Sequence, residues 1–138
     1  GLAEGVYTAT LTVTGDNNSV DVPVTLTVEV PATAVDDAYA MDEDMVLTVD
    51  AANGVLANDT EPEGDPLTAV LVEGPLHGQL ALAADGSFVY TPDADYFGTD
   101  TFTYVANDGT VDSNIATVTI TIADVAETQY IYLPVILK

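Results

Sequence analysis

The chain has 138 residues, a formal net charge of −22 and one basic side chain, Lys138, against 23 Asp and Glu. So little Lys and Arg excludes nucleic-acid and anionic-membrane binding, both of which need cations on the protein side. With no Cys there are no disulfides, thiolate metal sites or Cys nucleophiles. A hydrophobic share of 48% is still enough for a packed core, and the length suits one full domain plus part of another.

In chain order, Tyr7, Ala9, Leu11 and Val13 alternate with Thr8, Thr10, Thr12 and Thr14. After the turn signal Gly15-Asp16-Asn17-Asn18, Val22, Val24, Leu26, Val28 and Val30 alternate with Thr25, Thr27 and Glu29. Two alternating runs around such a turn predict a β-hairpin, with Pro23 on an edge or facing away from its partner strand. A lone hairpin is marginal in water, so this one needs a surface to cover it: the next module, the C-terminal tail or another copy.

Pro31-Ala32-Thr33-Ala34 reads as a module junction. Beyond it the alternation predicts strands near Met45–Val49, Leu67–Val72, Gln79–Leu82, Ser87–Tyr90, Asp100–Ala106 and Ala116–Ile122. Turn signals separate them at Asn53-Gly54, Glu63-Gly64-Asp65-Pro66, Gly74-Pro75, Asp85-Gly86 and Asn107-Asp108-Gly109. Short strands at this spacing predict an antiparallel Greek-key sandwich. Val6–Val30 and Phe102–Val125 also share one plan, an aromatic-led strand, an Asp/Asn turn and a Val/Thr/Ile strand, which marks each as the terminal hairpin of a sandwich module.

The apolar tail Tyr130-Ile131-Tyr132-Leu133-Pro134-Val135-Ile136-Leu137-Lys138 is expected to be a strand docked on a sheet edge. No apolar run reaches the ~18 residues of a membrane span, so membrane insertion is not expected. The start Gly1-Leu2-Ala3-Glu4 carries no leader pattern, and the chain reads as an internal or C-terminal fragment of a longer protein.

The segment 34–124 resembles the bacterial cadherin-like, immunoglobulin-like repeat family. Four pieces carry the resemblance in order: Val35-Asp36-Asp37-Ala38-Tyr39 with Asp42-Glu43-Asp44; Gly54-Val55-Leu56-Ala57-Asn58-Asp59-Thr60; Gly86-Ser87-Phe88-Val89-Tyr90-Thr91-Pro92; and Tyr96-Phe97-Gly98-Thr99-Asp100-Thr101-Phe102-Thr103-Tyr104. Asn107-Asp108-Gly109 follows in the family's place. The resemblance implies an all-β, antiparallel Ig/cadherin-like Greek-key β-sandwich, tandem repetition, export to the cell surface or medium, and calcium at module ends. Residues 1–31 are more loosely similar to the terminal hairpin of a preceding Ig-like module, and 125–138 form the tail strand. Neighbouring modules of the same chain are the expected partners, with a protein or polysaccharide at the cell surface beyond them.

The acids give calcium a reading of their own. Twenty-three carboxylates cannot be neutralised by one Lys, and Ca²⁺ takes six to eight oxygens of the carboxylate and carbonyl type. Asn58-Asp59-Thr60-Glu61-Pro62-Glu63-Gly64-Asp65 alternates such oxygens into a Gly-assisted bend. The family more often has Asp where Glu61 and Glu63 stand. The expected ligands are Asp36, Asp37, Glu43, Asp59, Glu61, Asp65 and Asp108, and the resemblance to cadherin-like folds implies that Asp36-Asp37, Asp42-Glu43-Asp44 and Asn107-Asp108 converge at one pole. Asp93, Asp95 and Asp100 are read as turn and capping residues first and as ligands second.

His77 stands alone without a Cys or second His, which argues against a transition-metal site and for turn packing. No Ser lies in a nucleophile motif, and without Trp a sugar-cleaving cleft is poorly provided for, so no enzymatic activity is expected. The competing role is calcium-assisted carbohydrate binding through Tyr39, Tyr90, Tyr96 and Tyr104. Against it, Phe88 with Tyr90 and Phe102 with Tyr104 share alternation faces, as core residues do.

Overall fold

The computed structural model describes residues 5–14, 19–126 and 135–136. The described residues are all-β, with nine strands and one short 3₁₀ turn at Ala51–Asn53. Strands β1 (Gly5–Thr14) and β2 (Ser19–Val28) form the N-terminal hairpin as a two-stranded sheet of their own. Its register sets Leu11 opposite Val22 and Ala9 opposite Val24, so one face is apolar and the other carries Thr and Asp. Pro23 sits within β2 opposite Thr10.

The remaining strands make two facing sheets. One has the order β3 (Asp37–Asp42), β9 (Ala116–Ala123), β8 (Gly98–Asn107), β5 (Thr68–Glu73), and the other β4 (Leu47–Val49), β7 (Phe88–Pro92), β6 (Gly78–Leu82). Alternation explains the core between them. Phe88 and Tyr90 of β7 face Phe102, Tyr104 and Ala106 of β8 and Ala116, Val118, Ile120 and Ile122 of β9, all buried. Phe88 meets Tyr39 and Phe102 edge-on at centroid distances of 5.0 and 5.5 Å. Each buried ring of this kind contributes well over 1 kcal/mol through apolar area alone, on the order of 25 cal/mol per Å². The sandwich is therefore the expected one.

One feature differs from the alternation reading. Asp37–Asp42, where the alternation places no strand, is a strand, and it pairs with β9 in parallel, Asp37 opposite Val118 and Asp42 opposite Ala123. Every other strand pairing is antiparallel. In the tail, Val135 and Ile136 are exposed and belong to no strand, and the rest of the predicted tail strand lies outside the described residues.

The parallel pair fixes the ends of the module. β3 and β9 both run away from the pole where residues 30–36 come in and toward the pole where 124–126 go out. The chain therefore enters and leaves the sandwich at opposite ends.

Candidate functional site

The incoming segment has no regular structure, so its backbone groups need partners from elsewhere. Loops at that pole supply them. Thr33 and Thr60 exchange two backbone bonds, Thr33 N–H to Thr60 O at 2.8 Å and Thr60 N–H to Thr33 O at 3.0 Å. The Asn114 amide brackets Ala34, accepting from its N–H at 3.0 Å and donating to its carbonyl at 2.8 Å. Val35 N–H donates to Asp59 Oδ1 at 2.8 Å, and Val30 N–H to Glu63 Oε1 at 3.1 Å. Asp36 Oδ1 reaches the other way and accepts from Thr117 N–H at 2.7 Å. Ala32 and Ala34 are buried between these ties. The linker is held by side chains from two loops, Asp59 and Glu63 from one and Asn114 from the other.

Beneath it lies the Tyr104 hydroxyl, on a ring with no solvent exposure. It sits 3.0 Å from both oxygens of Asp59, 3.3 Å from Val35 O and 3.5 Å from Asp37 Oδ2, with Val55 O also in contact. One hydroxyl proton serves all these acceptors, so the site is short of donors. Asn58 supplies one more, from Nδ2 to Asp37 Oδ1 at 3.0 Å. Burial, then the charge of Asp59, pushes the Asp37 carboxyl up from 3.8 to about 6. Burial pushes Asp59 up as well.

A pH prediction follows. Between about 4 and 6 the folded protein binds more protons at Asp37 than the unfolded chain does, so stability falls as pH rises through that window. The raised Asp59 acts in the same sense. Asp85, Asp100 and Asp108 are held low by hydrogen bonds, and their contribution is lost below the usual carboxylate range. The melting temperature should climb on acidification from pH 7 toward about 4.5, then fall at lower pH. Asp37→Asn keeps an oxygen for Asn58 and removes the charge. It should raise stability at pH 7 by about 1 kcal/mol after solvent screening, and flatten the climb. A variant less stable than wild type at pH 7, with the climb intact, would refute this.

The seven predicted calcium ligands do not form one site. Asp36, Asp37 and Asp59 lie at the incoming pole, with Asp36 engaged on Thr117 and Asp59 on Val35 and Tyr104. Glu61 folds back on its own bend, Oε2 accepting from Asp65 N–H at 2.7 Å, while its Oε1 is buried without a hydrogen-bond partner. Asp108 caps its own turn, accepting from Thr110 and Val111 N–H. Glu43 is at the outgoing pole, where its backbone N–H donates to Ala123 O and its side chain accepts from Val125 N–H at 2.7 Å. The expected convergence of three acidic clusters therefore fails for Asp42-Glu43-Asp44: β3 carries them the length of the sandwich away from Asp37. They line a groove of about 550 Å³ at that far end with Asp95, Phe97 and Asp124. Among the described residues no three acidic or imidazole side chains come together so as to hold a metal ion. The Asp37–Asp59 pair brings its carboxylate oxygens together at the Tyr104 hydroxyl beneath the linker, beside the Val35 and Val55 carbonyls.

Of the acids read as capping residues, Asp100 has the largest structural role. It is 3% exposed and accepts from Leu76 N–H, His77 N–H, Thr101 N–H and the Tyr90 hydroxyl at 2.8–3.0 Å. His77 stacks on Tyr96 with centroids 4.2 Å apart, the turn-packing role expected of it. Tyr90 and Tyr104 are buried and Tyr39 packs on Phe88, so those rings are core and not platforms for sugars.

No curated protein matches the sequence. Among solved structures, a single-substitution variant of the endo-fucoidan hydrolase MfFcnA4 from glycoside hydrolase family 107 is similar, with a TM-score of 0.51 and 19% identity over 90% of this chain and 20% of that one. MfFcnA4 itself gives 0.48 at 20% identity, again over 90% of this chain and 20% of that one; MfFcnA9 of the same family gives 0.41 at 17%, over 86% and 22%. The chain spans about a fifth of the length of these hydrolases, and at this identity the first likeness shows the fold alone. No described helix is long and apolar enough to cross a membrane. The profile of the bacterial cadherin-like domain matches residues 29–124, from the tied linker to the first residue after β9, and the chain belongs to that family.

Proposed function

We propose that this is a non-catalytic structural module that carries tension along an exported, multidomain bacterial surface or secreted protein. The observation that carries the proposal is the parallel pairing of the first and last strands of the sandwich, with the chain entering and leaving at opposite poles. Pulled from its two ends, such a module loads the β3–β9 ladder along its length, so its hydrogen bonds resist together. The ties on residues 30–36 pass the load from the linker into the body of the sandwich. The proposal rests on the strand pairing and is independent of calcium. An accessory role beside a polysaccharide-degrading domain is compatible with it, because a tension-bearing module serves any neighbour.

Stretching single molecules tests the reading. Glu43 N–H bonds Ala123 O, and strand alternation puts Met41 N–H on the same side of β3. Met41→Pro removes a donor from the ladder. It should lower the unfolding force clearly while the sandwich still folds by circular dichroism; an unchanged force would refute the load path.

A further inference from the structure

The family match begins at residue 29 and leaves the hairpin without a role. Its apolar face is open to solvent: Leu11, Val13, Val20, Val22, Val24 and Leu26 are 43–60% exposed. The same chain contains a second hairpin of this design, β8–β9, whose equivalent face is covered.

Laying the two registers on each other makes the correspondence specific. Gly5 pairs with Val28 and Gly98 pairs with Ile122. With Gly5 placed on Gly98, Thr8 and Thr10 fall on Thr101 and Thr103. On the second strand, Val24-Thr25-Leu26-Thr27-Val28 falls on Val118-Thr119-Ile120-Thr121-Ile122. The apolar members then share one face in both hairpins. Val118 and Ile120 have no exposure, whereas Val24 and Leu26 are 45% and 48% exposed.

Pro23 supports the same alignment. It falls on Thr117, whose N–H points away from β8 and is taken by the Asp36 side chain. A residue without an N–H is tolerated at an outward position, and the pairing of β1 with β2 runs through Pro23 unbroken. Among the described residues the hairpin thus keeps its own ladder but has neither the flanking strands nor the facing sheet that β8–β9 has.

We infer that residues 5–28 are the closing hairpin of a second β-sandwich, and that their apolar face takes an inner sheet like β4-β7-β6, contributed by chain outside these 138 residues. The inner face of that sheet carries bulky apolar side chains, as Phe88 and Tyr90 do in β7. This extends the tension-bearing reading to a second unit, but it stands on the hairpin alone and fails separately.

Hydrogen exchange tests it, comparing this chain with the same protein extended upstream by one module length. Amides of residues 20–28 should exchange about 100-fold more slowly in the extended protein, because an uncovered two-stranded hairpin opens readily. In the extended protein, Val24→Asp should abolish that protection and leave the melting of 29–124 unchanged. Equal exchange in both proteins would overturn the inference. So would slow exchange in the 138-residue chain, whether as a dimer by sedimentation, with a second copy as cover, or as a monomer, with its own tail as cover. Loss of the 29–124 transition in Val24→Asp would overturn it too.

Discussion

Asp100→Ala should lower stability by about 3–5 kcal/mol, the largest effect expected of any single carboxylate here. The carboxylate is buried in the core and binds four donors from three places in the chain. Two of them, Leu76 and Thr101, approach one oxygen, and His77 and Tyr90 approach the other. Truncation leaves backbone N–H groups and a tyrosine hydroxyl buried without acceptors, each costing on the order of 1–3 kcal/mol. Asp100→Asn keeps one acceptor and turns the other into a donor facing donors, so it should cost about half as much. Urea unfolding measures both; a loss under about 1 kcal/mol for Asp100→Ala would mean that the loop carrying Leu76 and His77 is held by something else.

The second large effect is Gly54→Ala. Gly54 follows the 3₁₀ turn capped by Asp50 and is buried against the β6–β7 turn. A methyl there would overlap the Gly86 carbonyl, whose carbon lies 2.6 Å away, and Val55 N–H already donates to that same carbonyl at 3.0 Å. Both contacts are with backbone, so no side chain can swing aside. Gly86 is at φ +84°, in the left-handed region, with Leu56 packed beside it, and it has little freedom to retreat. Overpacking of this kind costs about 3 kcal/mol. The expected result is a lower urea midpoint with an unchanged slope; an unchanged midpoint would show that the two loops separate without cost.

Much of the sandwich was legible because burial on one face writes alternation into the strands. Phe88, Tyr90, Phe102, Tyr104, Val118 and Ile120 announce themselves in this way, and all are core. β3 was not legible, since Asp37-Ala38-Tyr39-Ala40-Met41-Asp42 offers small residues and acids in place of branched apolar ones. Its parallel pairing with a strand about 80 residues later leaves no local signal at all.

The acids show the limit more sharply. Composition says that carboxylates are in surplus, but their placement depends on which pole each loop serves. Asp37 and Asp59 share the Tyr104 hydroxyl, while Glu43 is six residues from Asp37 in sequence and at the far pole in space. The role of Asp100 as an acceptor for the loop at Leu76 and His77 required the fold to bring 23 and 24 residues of separation together. The aromatic residues read as core, by contrast, needed only their own strand.

The most direct test of the tension-bearing account compares two pulling directions on one molecule. The chain has no Cys, so introduced cysteines give unique handles. Handles at Pro31 and Asp124 load β3 and β9 lengthwise from opposite poles, whereas handles at Val35 and Ile115 lie at one pole and peel the same pair apart one bond at a time. The account predicts a clearly higher unfolding force through Pro31 and Asp124 at the same loading rate, since forced unfolding reads the barrier along the direction pulled. Equal forces in the two directions, or a higher force on peeling, would contradict it.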